Sequence, residues 1–372
     1  MKTVCELNQC AGCMACVNRC PKNAISVEDE VRRLNAVIDE EKCVSCGLCE
    51  NVCPQINKPA TNCPIGWFQG WAEEQEIRYT STSGGAAACI TKAFIEKGGY
   101  VCSCMFDQGE FLFRITNSKE ESKLFAGSKY VKSNPGDIFE QVKQYIENDR
   151  EVLFIGLPCQ VAGLKNYLGR TERERLFTVD LICHGTPSIK LLDTYLKQNG
   201  LELRKLKNIK FRSKTGMGLS IKEANVSMPG TIDAYLLSFL NALNYTDNCY
   251  SCQYASLNRV SDITLGDNWG TEYSDELAKG VSLILVNSEK GKELLINTRL
   301  ILKDVDVKKA ISANGQLSNP SKMPSKRDEF MNGIEEGKKY KKLISRLYRK
   351  QYMRQILKGY AIKLRLRKMG GV

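Results

Sequence analysis

Apolar positions along this chain fall into short blocks, and the spacing within each block predicts its element. Residues 86–96 repeat at helical intervals and are closed by Gly98-Gly99, a helix stop. Residues 100–106 form a continuous apolar run of strand length, 111–115 form another, and 138–147 return to helical spacing. From 151 a pattern appears twice: an apolar strand, a turn containing cysteine, then a helix. The first unit is the strand 151–155 with a helix to 168, and the second is the strand 177–182 with a helix to 198. Two such units in succession predict a parallel α/β sheet with its sites past the strand ends. Beyond them, 206–212, 219–226, 262–265 and 281–286 read as strands, and 232–243 and 289–300 as helices. Near the start, 25–27 and 34–38 read as short strands joined by the turn Glu28-Asp29-Glu30.

Cysteine spacing changes this picture. Cys10, Cys13, Cys16 and Cys20-Pro21 form one run, and Cys43, Cys46, Cys49 and Cys53-Pro54 repeat its spacing. This is the ligand pattern of a two-cluster 4Fe-4S ferredoxin, in which three close cysteines hold one cube and the fourth serves the other. The expected sets are Cys10, Cys13, Cys16 and Cys53 for one cube, and Cys43, Cys46, Cys49 and Cys20 for the other. Zinc is the competing reading, but it usually takes separated pairs or histidines, and the chain has one histidine. Disulfides compete as well. Residues 1–9 lack the apolar core of a signal peptide, so a reducing cytoplasm is the expected compartment.

At 372 residues the chain is expected to hold more than one domain. We divide it into a ferredoxin module (1–60), a second region (66–150), a third region (151–325) and a basic helical tail (326–372), with a Pro-rich linker between the first two. The fold class is α/β (α+β): a ferredoxin fold, an α/β region with a mainly parallel sheet, and a basic C-terminal helix. No run has the length of a transmembrane helix. Net charge is +12, and residues 338–372 carry 13 Lys and Arg with no Asp or Glu. With its apolar residues near helical spacing, the tail is expected to meet an acidic surface, either a partner protein or the inner membrane face. No specific nucleic-acid binding is inferred.

Nine cysteines lie outside the two runs. Cys89, Cys102 and Cys104 fall within predicted helix or strand, where a thiol packs as a small apolar group. Cys159, Cys183, Cys249 and Cys252 fall in Gly- and Pro-containing loops, which suggests another metal site, with a redox-active Cys249–Cys252 pair as the rival. There is no G-x-G-x-x-G, so no NAD domain is inferred. The Thr80-to-Gly85 loop ahead of the 86–96 helix could offer amides to an anion, or could be a plain N-cap. His184 is either a proton donor or a hydrogen-bonded loop residue.

Several motifs in order resemble the beta subunit family of coenzyme F-420 hydrogenases and dehydrogenases. They are Ser83-Gly84-Gly85, Gly127-Ser128-Lys129-Tyr130-Val131, Gly156-Leu157-Pro158-Cys159-Gln160, Cys183-His184-Gly185, Phe211-Arg212, Cys249-x-x-Cys252 and Gly266-Asp267-Asn268-Trp269-Gly270. The resemblance implies FAD and a further 4Fe-4S cluster in this part of the chain. The expected site residues are metal ligands at Cys159, Cys183, Cys249 and Cys252, FAD contacts at Ser83, Gly84, Gly85 and Lys129, and, from the residue itself, a catalytic role for His184. Ser103-Cys104 and Met217 depart from the family pattern and bear on the substrate pocket. The implied activity is a flavin-dependent iron–sulfur oxidoreductase. It would exchange electrons with a redox partner or ferredoxin and act on an organic substrate or deazaflavin. The alternative is an electron-transfer adaptor that docks on a partner enzyme.

Overall fold

The computed structural model describes all residues except 1, 171, 215, 222–225, 229 and 367–372. The N-terminal module holds two short helices, Ala15–Arg19 and Leu48–Val52, and an antiparallel pair, β1 (Ile25–Asp29) and β2 (Leu34–Ile38). Each helix leaves a left-handed residue, Met14 at φ 64° or Gly47 at φ 71°, and stops at Cys20 or Cys53. The proline that follows cannot continue a helix. The repeated cysteine spacing is thus a repeated backbone path. Val4, Ile25, Leu34, Ala36 and Ile38 pack under the first cysteines and form the module's small core.

The remaining strands are β3 (Gly66–Ala72), β4 (Tyr100–Asp107), β5 (Glu110–Thr116), β6 (Val152–Gly156), β7 (Leu176–Leu181), β8 (Ile209–Ser213), β9 (Gly216–Ile221), β10 (Ile263–Asp267), β11 (Ser282–Val286) and β12 (Leu300–Asp304). Eight form one sheet in the order β12-β3-β11-β10-β7-β6-β4-β5, and β8 and β9 make a separate hairpin. The neighbours β10-β7, β7-β6 and β6-β4 run parallel. The pairs at both edges run antiparallel. The α/β expectation holds, in a mixed sheet whose parallel character is confined to four central strands.

Both faces of the centre are covered, which explains the unbroken apolar runs of β6 and β7. Leu153, Ile155, Phe177 and Val179 pack with helix Ala86–Glu96. Val152 and Phe154 pack on the opposite face with helices Ile138–Glu147 and Pro158–Tyr167 and with Cys13, Ala15 and Val52 of the ferredoxin module. The module is therefore part of the core.

Three expectations change. The helix expected over 289–300 ends at Leu295, because Asn297 (φ 61°) and Arg299 (φ 49°) turn the chain into edge strand β12. Gly70 of β3 permits that pairing, since a Cβ there would stand 2.3 Å from the Ile301 carbonyl oxygen. The stretch read as a linker near residue 60 is docked, with Asn62 and Arg259 exchanging backbone hydrogen bonds of 2.9 Å. The tail divides. In helix Tyr340–Leu347 the residues Tyr340, Leu343, Ile344 and Leu347 are buried in the main core, so they are not a face for an outside surface. Helix Arg349–Lys363 keeps Met353, Leu357 and Tyr360 exposed. Residues 367–372 of that expectation lie outside the described residues.

Candidate metal centres and the basic site beside them

All 17 cysteines stand as free thiols. Among the described residues no three His, Cys, Asp or Glu side chains are disposed to hold a single ion. A cube asks for something different: four thiolates spread around its corners.

In the ferredoxin module Cys10, Cys13, Cys16 and Cys53 line one pocket. Burial raises the Cys16 pKa, and the nearby Cys10 and Cys53 add to it. The fold thus brings the last cysteine of the second run to the first three of the first run. Cys20 lies on the other side, near enough to Cys49 to help raise its thiol behind the larger effect of burial. Backbone amides of Gly12, Ala24 and Ser45 donate to the sulfurs of Cys10, Cys20 and Cys43 at 3.4, 3.3 and 3.4 Å. Such bonds favour thiolate and tune cluster potential. Cys5 lines the first cavity too, and spacing alone did not single it out.

The other four cysteines also converge, although Cys159 stands in the first turn of a helix and not in a loop. Cys159 is the second residue of helix Pro158–Tyr167, two residues beyond the turn at Leu157 that follows β6. Cys183 follows β7. Its loop is zipped to the loop before Cys249: the Thr246 amide donates to the Thr186 carbonyl at 3.1 Å, and Pro187 bridges Tyr245. Gly185 allows this approach, since a Cβ there would lie 2.3 Å from the Tyr245 ring. The loop that follows Cys252 is held by Arg259, a buried residue that sequence reading missed. The Arg259 guanidinium donates to the carbonyls of Tyr254 and Ser256 on the cysteine loop, and to Leu181 O and the Asp180 carboxylate at the end of β7. The Cys159 pKa is pushed up to about 12 by burial, opposed by Lys132 and reinforced by Cys252 and Cys249. Cys183 is raised by burial and by Cys249, Cys159 and Cys252. A buried spot that gathers four thiols suits a metal cluster that takes them all as thiolates.

The two sets adjoin. Gly163 of the Cys159 helix packs on Cys13, and a Cβ at Gly163 would lie 2.9 Å from the Cys13 sulfur. Tyr254 is buried between them and donates to Pro54 O at 2.7 Å. Burial raises its pKa, and Cys159, Cys13, Cys252 and Cys53 all contribute.

A basic site lies next to the Cys183 loop. His184 is exposed, but surrounding protein lowers its pKa against the opposing pull of Asp267. Asp267 pairs with Arg212 at 2.6 Å, and the Arg212 guanidinium lies 5.1 Å over the Trp269 ring. Lys214 donates to Ser83 O and Lys279 O, both at 2.6 Å. Its pKa is lowered to about 8 by burial and by Arg78 and Arg212. The loops of two motifs meet here, since the Ser128 amide donates to Thr82 Oγ1 at 2.9 Å. Two expected contacts look different in detail. Gly84 is packed against the sheet, where a Cβ would lie 2.4 Å from Gly70 O. The Lys129 ammonium is held by Phe125 O at 2.7 Å and by Ala126 O. Gly85, at φ 94°, starts helix Ala86–Glu96 without any side-chain cap, leaving its first amides for an anion. Arg78 Nε and Arg212 Nε are buried without partners, while their other nitrogens pair with Glu276 and Asp267, and Trp269 is 44% exposed. Cations, unpaired donors and an open aromatic ring fit an anionic ligand that carries a ring system, as a flavin dinucleotide does.

Two stretches of the chain match known protein families. Residues 9–56 match the 4Fe-4S dicluster domain, and residues 149–306 match the C terminus of the coenzyme F420 hydrogenase/dehydrogenase beta subunit. The fold resembles a chain of the F420-reducing [NiFe] hydrogenase complex from Methanosarcina barkeri. The TM-score is 0.51 at 17% identity, over 70% of this chain and 92% of that one. No curated protein matches the sequence.

Proposed function

We propose that this iron–sulfur electron-transfer chain, which joins a 4Fe-4S dicluster module to the C-terminal domain of the coenzyme F420 hydrogenase/dehydrogenase beta subunit, is a flavin-dependent oxidoreductase. It passes electrons between 4Fe-4S clusters and FAD, and on to an organic substrate or a deazaflavin-like cofactor. The observation that carries this reading is the contact between Cys13 and the Cys159 helix at Gly163. It sets one buried cysteine group against the next. The ligand sets are Cys10, Cys13, Cys16 and Cys53; Cys43, Cys46, Cys49 and Cys20; and Cys159, Cys183, Cys249 and Cys252.

When bound, a flavin supplies the exchange between single electrons and two-electron organic chemistry. The chain's own residues hold and orient it. Lys214 offers positive charge to its phosphates and Arg78 and Arg212 offer their unpaired Nε donors, together with the amides after Gly85, while Trp269 offers a stacking surface. His184, adjacent to Cys183 and beside Asp267, is placed to hold or deliver a proton there. Ser83 fixes Lys214 through its carbonyl, and Lys129 braces its own loop. A redox protein supplies or accepts electrons at the ferredoxin end, where Cys46 is exposed. Among the described residues no helix is long and apolar enough to cross a membrane; contact with an anionic inner leaflet would use helix Arg349–Lys363.

The test is flavin extraction from anaerobically purified, cluster-replete protein. Stoichiometric FAD whose absorbance bleaches on addition of reduced ferredoxin supports the reading. Cluster-replete protein without flavin overturns it.

A further inference from the structure

We infer that Lys132 is a positive charge shared by two cluster sites, one that raises the reduction potentials of both together. The sites are the cube of Cys10, Cys13, Cys16 and Cys53 and the cube of Cys159, Cys183, Cys249 and Cys252. The inference rests on the ligand sets proposed above.

Geometry carries it. The Lys132 ammonium donates to Ala11 O at 3.2 Å, between Cys10 and Cys13 in sequence. Its stem runs past Gly12, where a Cβ would lie 3.9 Å from Lys132 Cδ. Its backbone amide donates to Pro187 O at 2.8 Å, on the loop that carries Cys183. Pro187 in turn bridges Tyr245, which leads to Cys249. One residue thus ties the ferredoxin module to the sheet-edge cysteines by its two ends. Burial works against the ammonium, but Cys249, Cys159, Cys183 and Cys10 around it act the other way, and on balance they raise the Lys132 pKa and keep it charged.

Reduction adds one electron to a cube, so the reduced form carries more negative charge than the oxidised form. A cation held nearby, in a low-dielectric setting, favours the reduced form. When an electron leaves one cube for the other, no proton moves and no bond changes. A charge shared between donor and acceptor shifts both potentials in one direction and leaves the transfer between them close to level.

The experiment is an EPR-monitored redox titration of wild type, Lys132→Met and Lys132→Arg, with iron counted in each. Methionine keeps the packing along Gly12 and removes the charge. The expected result is lower potentials for both neighbouring cubes in Lys132→Met, an unchanged potential for the cube of Cys43, Cys46, Cys49 and Cys20, and near-wild-type values in Lys132→Arg. Cluster-replete Lys132→Met with unshifted potentials overturns the inference. If Lys132→Met fails to hold its clusters, Lys132→Arg decides: retained clusters show that the positive charge is needed, and lost clusters show a steric role and overturn it. A wild type without the sheet-edge cube contradicts the proposed function, while the first-cube shift still tests Lys132.

Discussion

A Cβ on Gly163 would stand 2.9 Å from the Cys13 sulfur and 3.2 Å from the Cys13 Cβ. The glycine sits inside helix Pro158–Tyr167, where alanine would ordinarily be favoured by about 1 kcal/mol. Its presence fits the need for the ferredoxin module to lie directly on this helix. Gly163→Val should therefore displace Cys13, at an overpacking cost of about 1–3 kcal/mol. Denaturant midpoints and iron content check this: the variant should lose iron from the first cube, and unchanged iron and stability would show that the contact is not tight.

Arg259 and Asp180 are both almost fully buried and pair at 2.8 Å. Arg259→Met leaves the carboxylate uncompensated and frees the Cys252 loop. Removing one partner of such a pair costs roughly 3–5 kcal/mol. A denaturation series should show that loss, with the sheet-edge iron lost before the ferredoxin iron. Wild-type stability with full iron would contradict the positioning role.

Lys214 gives a pH signature. Its folded pKa is about 8, below the usual lysine value, because burial and then Arg78 and Arg212 disfavour its charge. Between those values the unfolded chain binds more protons than the folded one, so this group's contribution makes stability rise with pH across that window. Anion binding needs the charged form, so flavin affinity should fall as pH rises through about 8. Equilibrium dialysis of FAD on either side of that value checks it. The decline should flatten in Lys214→Met, and an unchanged slope would assign it elsewhere.

The tail needs a narrower cut than the sequence suggests. Deleting all of 338–372 would remove Tyr340, Leu343, Ile344 and Leu347 from the core. A chain ending at Tyr348 keeps them and removes eight of the 13 basic residues. Each basic residue near an anionic surface contributes about 1 kcal/mol. This chain should retain its iron and lose binding to phosphatidylserine vesicles. Vesicle binding equal to wild type would exclude the tail as a membrane contact.

Much of the fold is legible where it is local. The doubled cysteine run, helix Ala86–Glu96 and the two strand–turn–helix units each state their structure in consecutive residues. Strands β3 and β12 escape notice. Gly66–Ala72 mixes glycine with tryptophan, and β12 lies on the sheet edge where burial is incomplete. The candidate site divides in the same way. Spacing points to Cys159, Cys183, Cys249 and Cys252. Gly163, Arg259, Tyr254 and Lys132 act through contacts between distant segments, which no local pattern encodes. The tail misleads for a related reason: helical apolar spacing shows that a face is buried, not what buries it.

Iron per chain tests the central claim most directly. Each cube holds four irons, so anaerobically reconstituted wild type should bind about 12, and Cys159→Ala about 8. A wild type that saturates at about 8, unchanged by Cys159→Ala, would leave the ferredoxin cubes alone and contradict the cluster at the sheet edge.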